Sequence, residues 1–415
     1  SKDNHVINEE YNPIVNDGDN EGTPEQPGEV SEAIREPDDG EIVIETAEDL
    51  AKIGKEEGYP LNGNYIQMSD IDLSGYSKDE GWVPIGFPYD KDNNYDSSLS
   101  FTGNFDGNGF KIRNLYINRP DTDYQGLFGR TNGATLTNIS LENVDVTGGD
   151  RTGGLVGQAA SSSKISNSYA TGEVSGKDHT GGLVGNAASS TITNSYATGE
   201  VTGRDFTGGL VGYTTNLSIT NSYATGSVKG GNNTGGLVGY ALSSTITNSY
   251  ATGSVTSTGD DTGGLVGDTT NLSITNSYAT GSVKGGNNTG GLVGEATSAS
   301  NSSTSITNSY ATGKVEGKEQ VGGLVGAARD SSTITNSYAT GEVTGTGQVG
   351  GLVGRAYSSA TITNSYWDKE STRQNNSAGG GLGKTTEEMK NRTTYVDWDF
   401  INTWQINEDS YPALR

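Results

Sequence analysis

The 415-residue chain contains no cysteine, only 2 histidines and no apolar run that approaches the roughly 20 residues needed to span a membrane. Without cysteine it has neither disulfides nor thiolate metal sites. Hydrophobic residues make up only 30% of the chain, whereas 63 residues are glycine. Each interior glycine costs a helix about 1 kcal/mol, which argues against helical packing. The abundant Thr, Ser, Val, Ile and Tyr favour strands instead.

Negative charge is in excess, with a formal net charge of −25, but it is unevenly distributed. Residues 1–40 hold twelve acidic and two basic side chains, whereas residues 150–366 hold thirteen and ten. Such a chain repels nucleic acids and anionic membranes, so neither is expected as a partner. Residues 1–40 have the composition of an acidic tail or linker. Within it, one apolar group could form a partner-binding strand for assembly: Val6, Ile7, Tyr11, Ile14 and Val15.

A five-letter word, GGLVG, occurs eight times, with its leucine at 155, 183, 210, 237, 265, 292, 324 and 352. Degenerate copies contain Leu127 and Leu382. A fixed period of this length indicates stacked units that each bury a face against the next. Every period also contains two further strand-like words, SITNSYA and GSVKG, bounded by turn residues. The sequence therefore predicts an all-β fold, a right-handed parallel β-helix of about ten 27–28-residue coils over residues 101–366.

The inward and outward positions follow from aligning IRNLYI, LTNISL, ISNSYA and ITNSYA on their shared Asn. Ile192, Ser195 and Ala197 are expected to point inward and Tyr196 outward, with a bend at Asn194, since Asn tolerates left-handed backbone. Stacked Asn amides could form a ladder between coils. This alignment places Asn114 of the first coil on Asn138 of the second.

Both ends of the solenoid need covers, because exposed end strands invite aggregation. Residues 41–100 are expected to form the N-terminal cap, with a short helix over 47–56 that starts at Thr46. Residues 367–415 are expected to form the C-terminal cap, with a second helix starting at Thr385. There, Trp398, Phe400 and Trp404 are expected to plug the end of the solenoid.

The repeats resemble the GLUG repeats of bacterial secreted and surface proteins. The entry words IETAEDLAKIG and FTGNFDGNGFKIRNLYI and the exit words GKTTEEMKN and VDWDFINTWQINEDSYPALR resemble the usual flanks of such a β-helix. The resemblance implies a β-helix and an extracellular, secreted or cell-surface location. GLUG repeats also occur beside the zinc peptidase domain of immunoglobulin A proteases, but this chain has no HExxH motif and only His5 and His179.

One outward tyrosine recurs in nearly every coil, starting at Tyr116 and ending at Tyr366. We consider two roles for this row, a self-stabilising ladder and a docking strip for glycans or a neighbouring protein. The candidate binding residues are Tyr169, Tyr196, Tyr223, Tyr250, Tyr278, Tyr310 and Tyr338.

No catalytic or metal-binding group is evident. Charged residues lie mainly in the variable turns, at Asp178, Asp205, Asp260, Asp261 and Glu319. Other coils carry Asn232 and Asn287 there, so this row does not indicate a polysaccharide-active enzyme. A weak calcium-loop pattern comprises Asp90, Asp92, Asn94 and Asp96, without the usual Gly and Glu of such a loop. Thr-Ile-Thr words, at 191–193, 245–247 and 333–335, resemble ice-binding solenoids.

These features predict a non-enzymatic extracellular protein without cofactors, a stiff surface spacer or adhesin. The alternative is a fibre subunit that assembles head to tail through its N-terminal tail. A polysaccharide-active enzyme and an ice-binding protein are further alternatives.

Overall fold

Each repeat forms one turn of a parallel β-solenoid in a computed structural model that describes residues 34–357 and 359–415. Equivalent words of successive repeats pair in register, for example Ile192 with Ile219 and Val184 with Val211. The core contains the Leu and Val of GGLVG, the Ile of the ITNSYA-type words and the Ala that ends them. The predicted parallel β-helix is therefore confirmed.

Three parallel sheets run along the described part of the solenoid. The 30-stranded sheet comprises Ile42–Ile44, Asn64–Gln67, Ile71–Asp72, Asn104–Asp106, Lys111–Arg113, Tyr116–Asn118, Thr135–Thr137, Ser140–Thr147, Lys164–Ser166, Tyr169–Ser175, Thr191–Thr193, Tyr196–Ala197, Val201–Thr202, Ser218–Thr220, Tyr223–Ala224, Val228–Gly230, Thr245–Thr247, Tyr250–Ala251, Val255–Ser257, Ser273–Thr275, Tyr278–Ala279, Val283–Lys284, Ser305–Thr307, Tyr310–Ala311, Val315–Glu316, Thr333–Thr335, Tyr338–Ala339, Val343–Thr344, Thr361–Asp368 and Gly380–Lys384. The nine-stranded sheet comprises Phe128–Asn132, Val156–Ala160, Val184–Ala188, Val211–Thr215, Val238–Leu242, Val266–Thr270, Val293–Thr297, Val325–Ala328 and Val353–Ala356. The eight-stranded sheet comprises Thr152–Gly153, Thr180–Gly181, Thr207–Gly208, Thr234–Gly235, Thr262–Gly263, Thr289–Gly290, Val321–Gly322 and Val349–Gly350.

The second glycine of GGLVG lets neighbouring coils touch backbone to backbone. A Cβ on Gly236 would lie 2.0 Å from the carbonyl oxygen of Gly264 and 2.9 Å from the Cβ of Ala251. No side chain fits in that space, which explains why this glycine recurs in each copy of the word.

The bend predicted at Asn194 is confirmed, since its φ is 50°. Ile192, Ser195 and Ala197 are buried in or beside the core, and Tyr196 lies outside it. The predicted Asn ladder is present only in part. Asn194 Nδ2 donates to Asn167 Oδ1 at 3.2 Å, but the buried Oδ1 atoms of Asn221, Asn276 and Asn336 have no hydrogen-bond partner in the described chain.

A serine ladder supports the bend instead. The buried N–H of Ser195 donates to Ser222 Oγ of the next coil at 3.2 Å, and Ser222 N–H donates to Ser249 Oγ at 3.1 Å. Each hydroxyl in turn donates to the carbonyl two residues before it, as Ser222 Oγ does to Thr220 O at 2.8 Å. The Asn bend turns the serine N–H away from the sheet, so a side-chain oxygen has to accept it.

The alignment of the first coil was wrong. Asn114 has positive φ like its counterparts, but Ile112 pairs with Leu141, not with Leu136, whose partner is Phe105. Tyr116 accordingly pairs with Asp145 and lies outside the tyrosine row. An Asn with left-handed backbone occurs at more than one place in this segment. Only the pairing of its strands with the next coil therefore decides which residues lie opposite each other.

The N-terminal cover forms much as predicted. Helix α1, Ala47–Lys52, starts with a capping box between Thr46 and Asp49 and buries Leu50. Two short 3₁₀ helices follow, Ser74–Tyr76 and Ser97–Leu99. Aromatic side chains then fill this end of the core: Tyr65, Trp82, Phe101, Phe105 and Phe128.

The C-terminal end differs from the prediction. The GGLG word forms strand Gly380–Lys384, which pairs with Thr361–Asp368 in the 30-stranded sheet, called the long sheet below. Leu382 of this word is 56% exposed, so the word does not form a regular tenth coil. Trp367 occupies the core position held by Ala339 one coil earlier and fills this end. Helices α2, Lys369–Thr372, and α3, Thr386–Met389, follow, the latter with a capping box at Thr385. A 3₁₀ helix, Arg392–Thr394, and an antiparallel strand pair, Trp404–Gln405 with Ala413–Leu414, complete the chain.

The apolar group proposed for assembly, Val6, Ile7, Tyr11, Ile14 and Val15, lies outside the described residues. Its role stays a prediction.

Candidate binding faces

The tyrosines of the repeats form a continuous stack. From Tyr169 to Tyr338, neighbouring rings lie 4.7–5.0 Å apart between centroids and 1–6° from parallel. In-register pairing of successive coils brings each ring directly over the next. We call Tyr169, Tyr196, Tyr223, Tyr250, Tyr278, Tyr310 and Tyr338 the tyrosine stack.

The last part of the chain packs against the C-terminal members of this stack. Residues 389–415, which we call the C-terminal strap, fold back along the side of the solenoid. Trp404 is fully buried, with its ring centroid 6.1 Å from those of both Tyr310 and Tyr338. Trp398 donates its indole N–H to the carbonyl of Asn364 at 2.8 Å. The prediction that these aromatic residues plug the end of the solenoid was therefore wrong, because their rings pack against the tyrosine stack.

The strap decides how much of the stack is accessible. Tyr223 and every later member are at most 5% exposed, and burial raises the pKa of Tyr250 and Tyr310. Only Tyr169 and Tyr196 are partly exposed. Lys111 Nζ donates to the Tyr169 hydroxyl at 2.8 Å and closes the free end of the stack. The candidate binding strip is thus largely occupied by the chain itself.

The acidic residues of the variable turns form a ladder with a structural role. Asp178 Oδ1 accepts the N–H of Asp205, Asp205 Oδ1 that of Asn232, and Asp260 Oδ1 that of Asn287, at 2.8–3.3 Å. Asp and Asn alternate freely because either provides the accepting oxygen. Glu319 continues this row by donating its N–H to Asn287 Oδ1 at 3.4 Å.

The loop with the calcium-like pattern uses its carboxylates locally. Asp90 Oδ1 accepts the N–H groups of Asp92 and Asn94, both at 2.9 Å, and Asp96 Oδ1 accepts that of Ser98. The described chain contains no cluster of three or more His, Cys, Asp or Glu suited to a metal ion.

The Thr-Ile-Thr words lie on the long sheet with their threonines outward. Thr191 is exposed, but its neighbours in adjacent coils are Lys164 and Ser218, so the outward row is not uniform threonine.

A second face of the solenoid is chemically varied, and most of its residues carry no recognisable motif in the sequence. It combines residues from the turns that lead into the first seven strands of the eight-stranded sheet, and Tyr124 of the preceding coil, with the residue at the equivalent position of each strand of the nine-stranded sheet. We call it the variable face, and its turn residues are Tyr124, Arg151, His179, Phe206, Asn233, Asp261, Asn288 and Gln320. Its strand residues are Arg130, Gln158, Asn186, Tyr213, Tyr240, Asp268, Glu295, Ala327 and Arg355.

All eight turn residues of this face have a φ between 53° and 60°. Bulky side chains such as those of His179 and Phe206 are unfavourable in that left-handed region, where Gly or Asn is the usual choice. The solenoid needs the turn, but it does not need an aromatic or charged side chain there.

Aromatic rings gather in the middle of the variable face. His179 lies 5.0 Å from Tyr213 and 5.1 Å from Phe206 between ring centroids, and Tyr213 stacks on Tyr240 at 5.3 Å. Burial, together with the nearby Arg151, lowers the pKa of His179, which favours the neutral ring. All four rings are partly exposed.

Carboxylates gather next to these rings. Asn288 Nδ2 donates to both Asp261 Oδ1 and Glu295 Oε2 at 2.7 Å, and Asn233 Nδ2 donates to Asp268 Oδ2 at 2.8 Å. Burial, reinforced by the charges of Asp261 and Glu295, raises the pKa of Asp268 to about 8. Burial also raises the pKa of Asp261 to about 6. Asp261 could be recognised in the sequence as a turn residue, but Asp268 and Glu295 could not be linked to it, because only contact across coils brings the three together.

The model of the GLUG motif matches six segments of the chain, residues 148–175, 178–202, 207–229, 230–256, 285–316 and 317–344. These six segments are therefore GLUG repeats. Among whole proteins, Halomucin of Haloquadratum walsbyi is 36% identical to this chain over 135 residues, covering 32% of this chain. Over 90 residues, the chain is 38% identical to a protein of Evansella cellulosilytica described as a "Putative Gly-rich membrane protein", covering 21% of this chain. The chain spans only 1% and 9% of the length of these relatives.

Among solved structures, an IgA1 Protease matches with a TM-score of 0.47 and 22% identity over 66% of this chain and 21% of that protein. This similarity is too weak to support an argument about activity. No helix in the described chain has the length and apolarity that crossing a bilayer requires.

Proposed function

We propose that the protein is a non-enzymatic extracellular β-helix, a stiff spacer with an adhesive face for glycans or neighbouring surface proteins. The proposal rests on a difference between two kinds of residue position in each coil. The inward and ladder positions repeat from coil to coil, whereas the outward positions of the variable face change in nearly every coil.

The spacer role rests on coils that depend only on their neighbours. The serine ladder, the Asp/Asn ladder and the glycine contacts each join one coil to the next and recur in the following coil. Such a solenoid can gain or lose coils without losing its fold. An enzyme active site, in contrast, needs a single set of unlike residues.

An extracellular location is supported by the names of the similar proteins, a Halomucin and a Gly-rich membrane protein. It is also supported by the resemblance of the repeats to those of secreted and surface proteins.

Excision of residues 214–268 tests the spacer role. It joins Tyr213 to Thr269, and because residues 214–239 and 269–294 are identical, the new junction repeats a sequence that the chain already contains. We expect a folded protein that is two coils shorter, a loss of roughly 10 Å at the strand spacing of about 4.8 Å. Small-angle scattering measures the length and circular dichroism the fold; an unfolded product would contradict the proposal.

The adhesive role is tested by passing the chain over immobilised polysaccharides and intact surface-layer proteins while assaying the eluate for shortened glycans. We expect retention without depolymerisation. Cleavage of a glycan that is lost when Asp268 or Glu295 is changed to the corresponding amide would show that the protein is an enzyme and not an adhesin.

A further inference from the structure

A short sequence in the C-terminal strap recurs near the other end of the chain. Residues 406–414 read INEDSYPAL, and residues 7–15 read INEEYNPIV. Aligned without a gap, both have Ile, Asn, Glu and Pro at the same positions, a second acid after the Glu, and two apolar residues at the end. We call them the strap word and the N-terminal word. Both lie outside the GLUG repeats, so the period of the coils does not account for their similarity.

The contacts of the strap word show what the shared residues do. Ile406 packs against the buried cluster that joins the strap to the tyrosine stack, and Leu414 is a buried member of that cluster. The carbonyl of Pro412 accepts the hydroxyl of Tyr338. The two acids of the word are exposed. The strap word thus presents apolar side chains from both of its ends and one carbonyl to the stack, while its acids stay in solvent.

The N-terminal word, which lies outside the described residues, has the same groups in its sequence. Ile7, Pro13 and Val15 stand at the positions of the three residues through which the strap word contacts the stack. The words differ at Tyr11, where the strap has Ser410, whose hydroxyl accepts a backbone N–H within the strap at 3.0 Å. The difference therefore falls in the turn of the word and not in the residues that meet the stack.

The N-terminal end of the tyrosine stack offers a second place for such a word. In the strap, Leu414 lies beside Tyr278. Tyr169 and Tyr196, near the other end of the stack, are partly exposed. These two rings are parallel and 4.7 Å apart, as the covered rings are, because successive coils pair in register. The surface that receives the strap word is therefore repeated where the described strap leaves the rings accessible.

The described part of the chain starts beside these rings. The N–H of Arg35 donates to Asn108 Oδ1 at 2.9 Å, and its guanidinium pairs with Asp106 at 2.9 Å. The strand of Asp106 lies three coils before that of Tyr196, about 15 Å at the strand spacing of about 4.8 Å. Residues 16–34 span up to about 60 Å when extended. The N-terminal word is therefore long enough in its connection to reach the stack of its own molecule.

We propose that residues 7–15 form a second strap, which docks over Tyr169 and Tyr196 of the same molecule. Ile7 and Val15 cover the sides of the rings, and the carbonyl of Pro13 accepts a tyrosine hydroxyl, as that of Pro412 does. The chain itself then covers the stack towards both ends, and the variable face is left as the surface for a partner. This docking is independent of the adhesive function.

Photochemical crosslinking tests the docking in the full chain. Benzoylphenylalanine replaces Tyr11, chains with and without an isotope label are mixed in equal amounts, and crosslinked peptides are identified by mass spectrometry. We expect crosslinks to peptides that contain Tyr169 or Tyr196, about tenfold more often within one chain than between a labelled and an unlabelled one. Crosslinks formed mainly between chains would place the word on a second copy and overturn the proposal. Crosslinks to other peptides only, or none, would overturn it too.

Hydrogen exchange tests the residues that carry the docking. Ile7→Ser with Val15→Ser should speed exchange of the amides of residues 7–15 about tenfold and leave the strap at residues 389–415 unchanged. Val30→Ser is the matched control, because it removes an apolar side chain from the same acidic segment but outside the word. It should leave the exchange of residues 7–15 as in the unaltered chain.

Removal of the rings tests the proposed position on the stack. Tyr169→Ser with Tyr196→Ser should speed exchange of residues 7–15 as much as the change in the word itself, while circular dichroism reports whether the coils stay folded. Protection of the word that survives in folded chains without both rings would refute this position. In the unaltered chain, amides of residues 7–15 that exchange as fast as those around Val30 would refute docking altogether.

Discussion

The tyrosine stack and the variable face occupy different sides of the same coils, but they differ in two ways. The tyrosine stack repeats one side chain, is buried from Tyr223 onward, and packs against the C-terminal strap at Tyr310 and Tyr338. The variable face changes its side chain in nearly every coil, and most of its side chains stay partly exposed. Repetition thus accompanies a face that serves the fold, and variation accompanies a face that stays more accessible. The tyrosine stack, which is the more conspicuous of the two faces in the sequence, is therefore the less accessible one in the structure.

The largest effect is expected from Trp404, which anchors the strap on the tyrosine stack. Trp404→Ala removes a fully buried ring between Tyr310 and Tyr338 and should cost about 3–5 kcal/mol of the strap's stability. Hydrogen exchange should show residues 389–415 unprotected while the solenoid stays protected. Ile401→Ala, at a position 79% exposed on the same segment, is the control. Uniform loss of protection along the whole chain would show that the strap and the solenoid are not separate units.

The serine ladder gives the next largest effect. Ser249→Ala leaves the buried N–H of Ser222 without its acceptor, which should lower the free energy of unfolding by about 1–3 kcal/mol. Thr245→Ala, at an exposed position four residues away, should change it by less than about 0.5 kcal/mol. Urea denaturation measures both. Equal effects would mean that the ladder adds nothing to the stability of the bend.

A smaller effect, dependent on pH, is expected from the variable face. Asp268 has its pKa raised from 3.8 to about 8, so folding favours its protonated form. Its contribution to stability is fully present below about pH 4 and is lost as the pH rises to about 8. The loss should exceed about 1.4 kcal/mol, the equivalent of one pKa unit.

Asp268→Asn should flatten this pH dependence between pH 4 and 8 when unfolding is followed at several pH values. Tyr213→Phe, at the equivalent strand position two coils earlier, is the control and should leave the pH dependence unchanged. If Asp268→Asn and the unaltered chain lose the same stability over this range, the carboxyl group of Asp268 is not the source.

Much of the architecture could be predicted from the sequence, because it depends on contacts that repeat along the chain. The period of GGLVG indicated the solenoid, and the shared Asn indicated the bend, with Ile192 and Ala197 inside. The capping boxes at Thr46 and Thr385 were equally local, since each depends on residues three positions apart.

The tertiary structure alone decided what lies beside what across coils and over the surface. Trp404 of the strap contacts Tyr310, which is far away in the sequence. The local sequence around either residue does not indicate whether the aromatic residues close the end of the solenoid or pack along its side. Asp261, Asp268 and Glu295 converge because one residue is in a turn, two are in strands and the coils stack. The register of the first coil was likewise set by pairing with the next coil, since a left-handed Asn occurs at more than one place in that segment. A sequence can specify the repeated unit, but the neighbours of a surface residue depend on how those units stack.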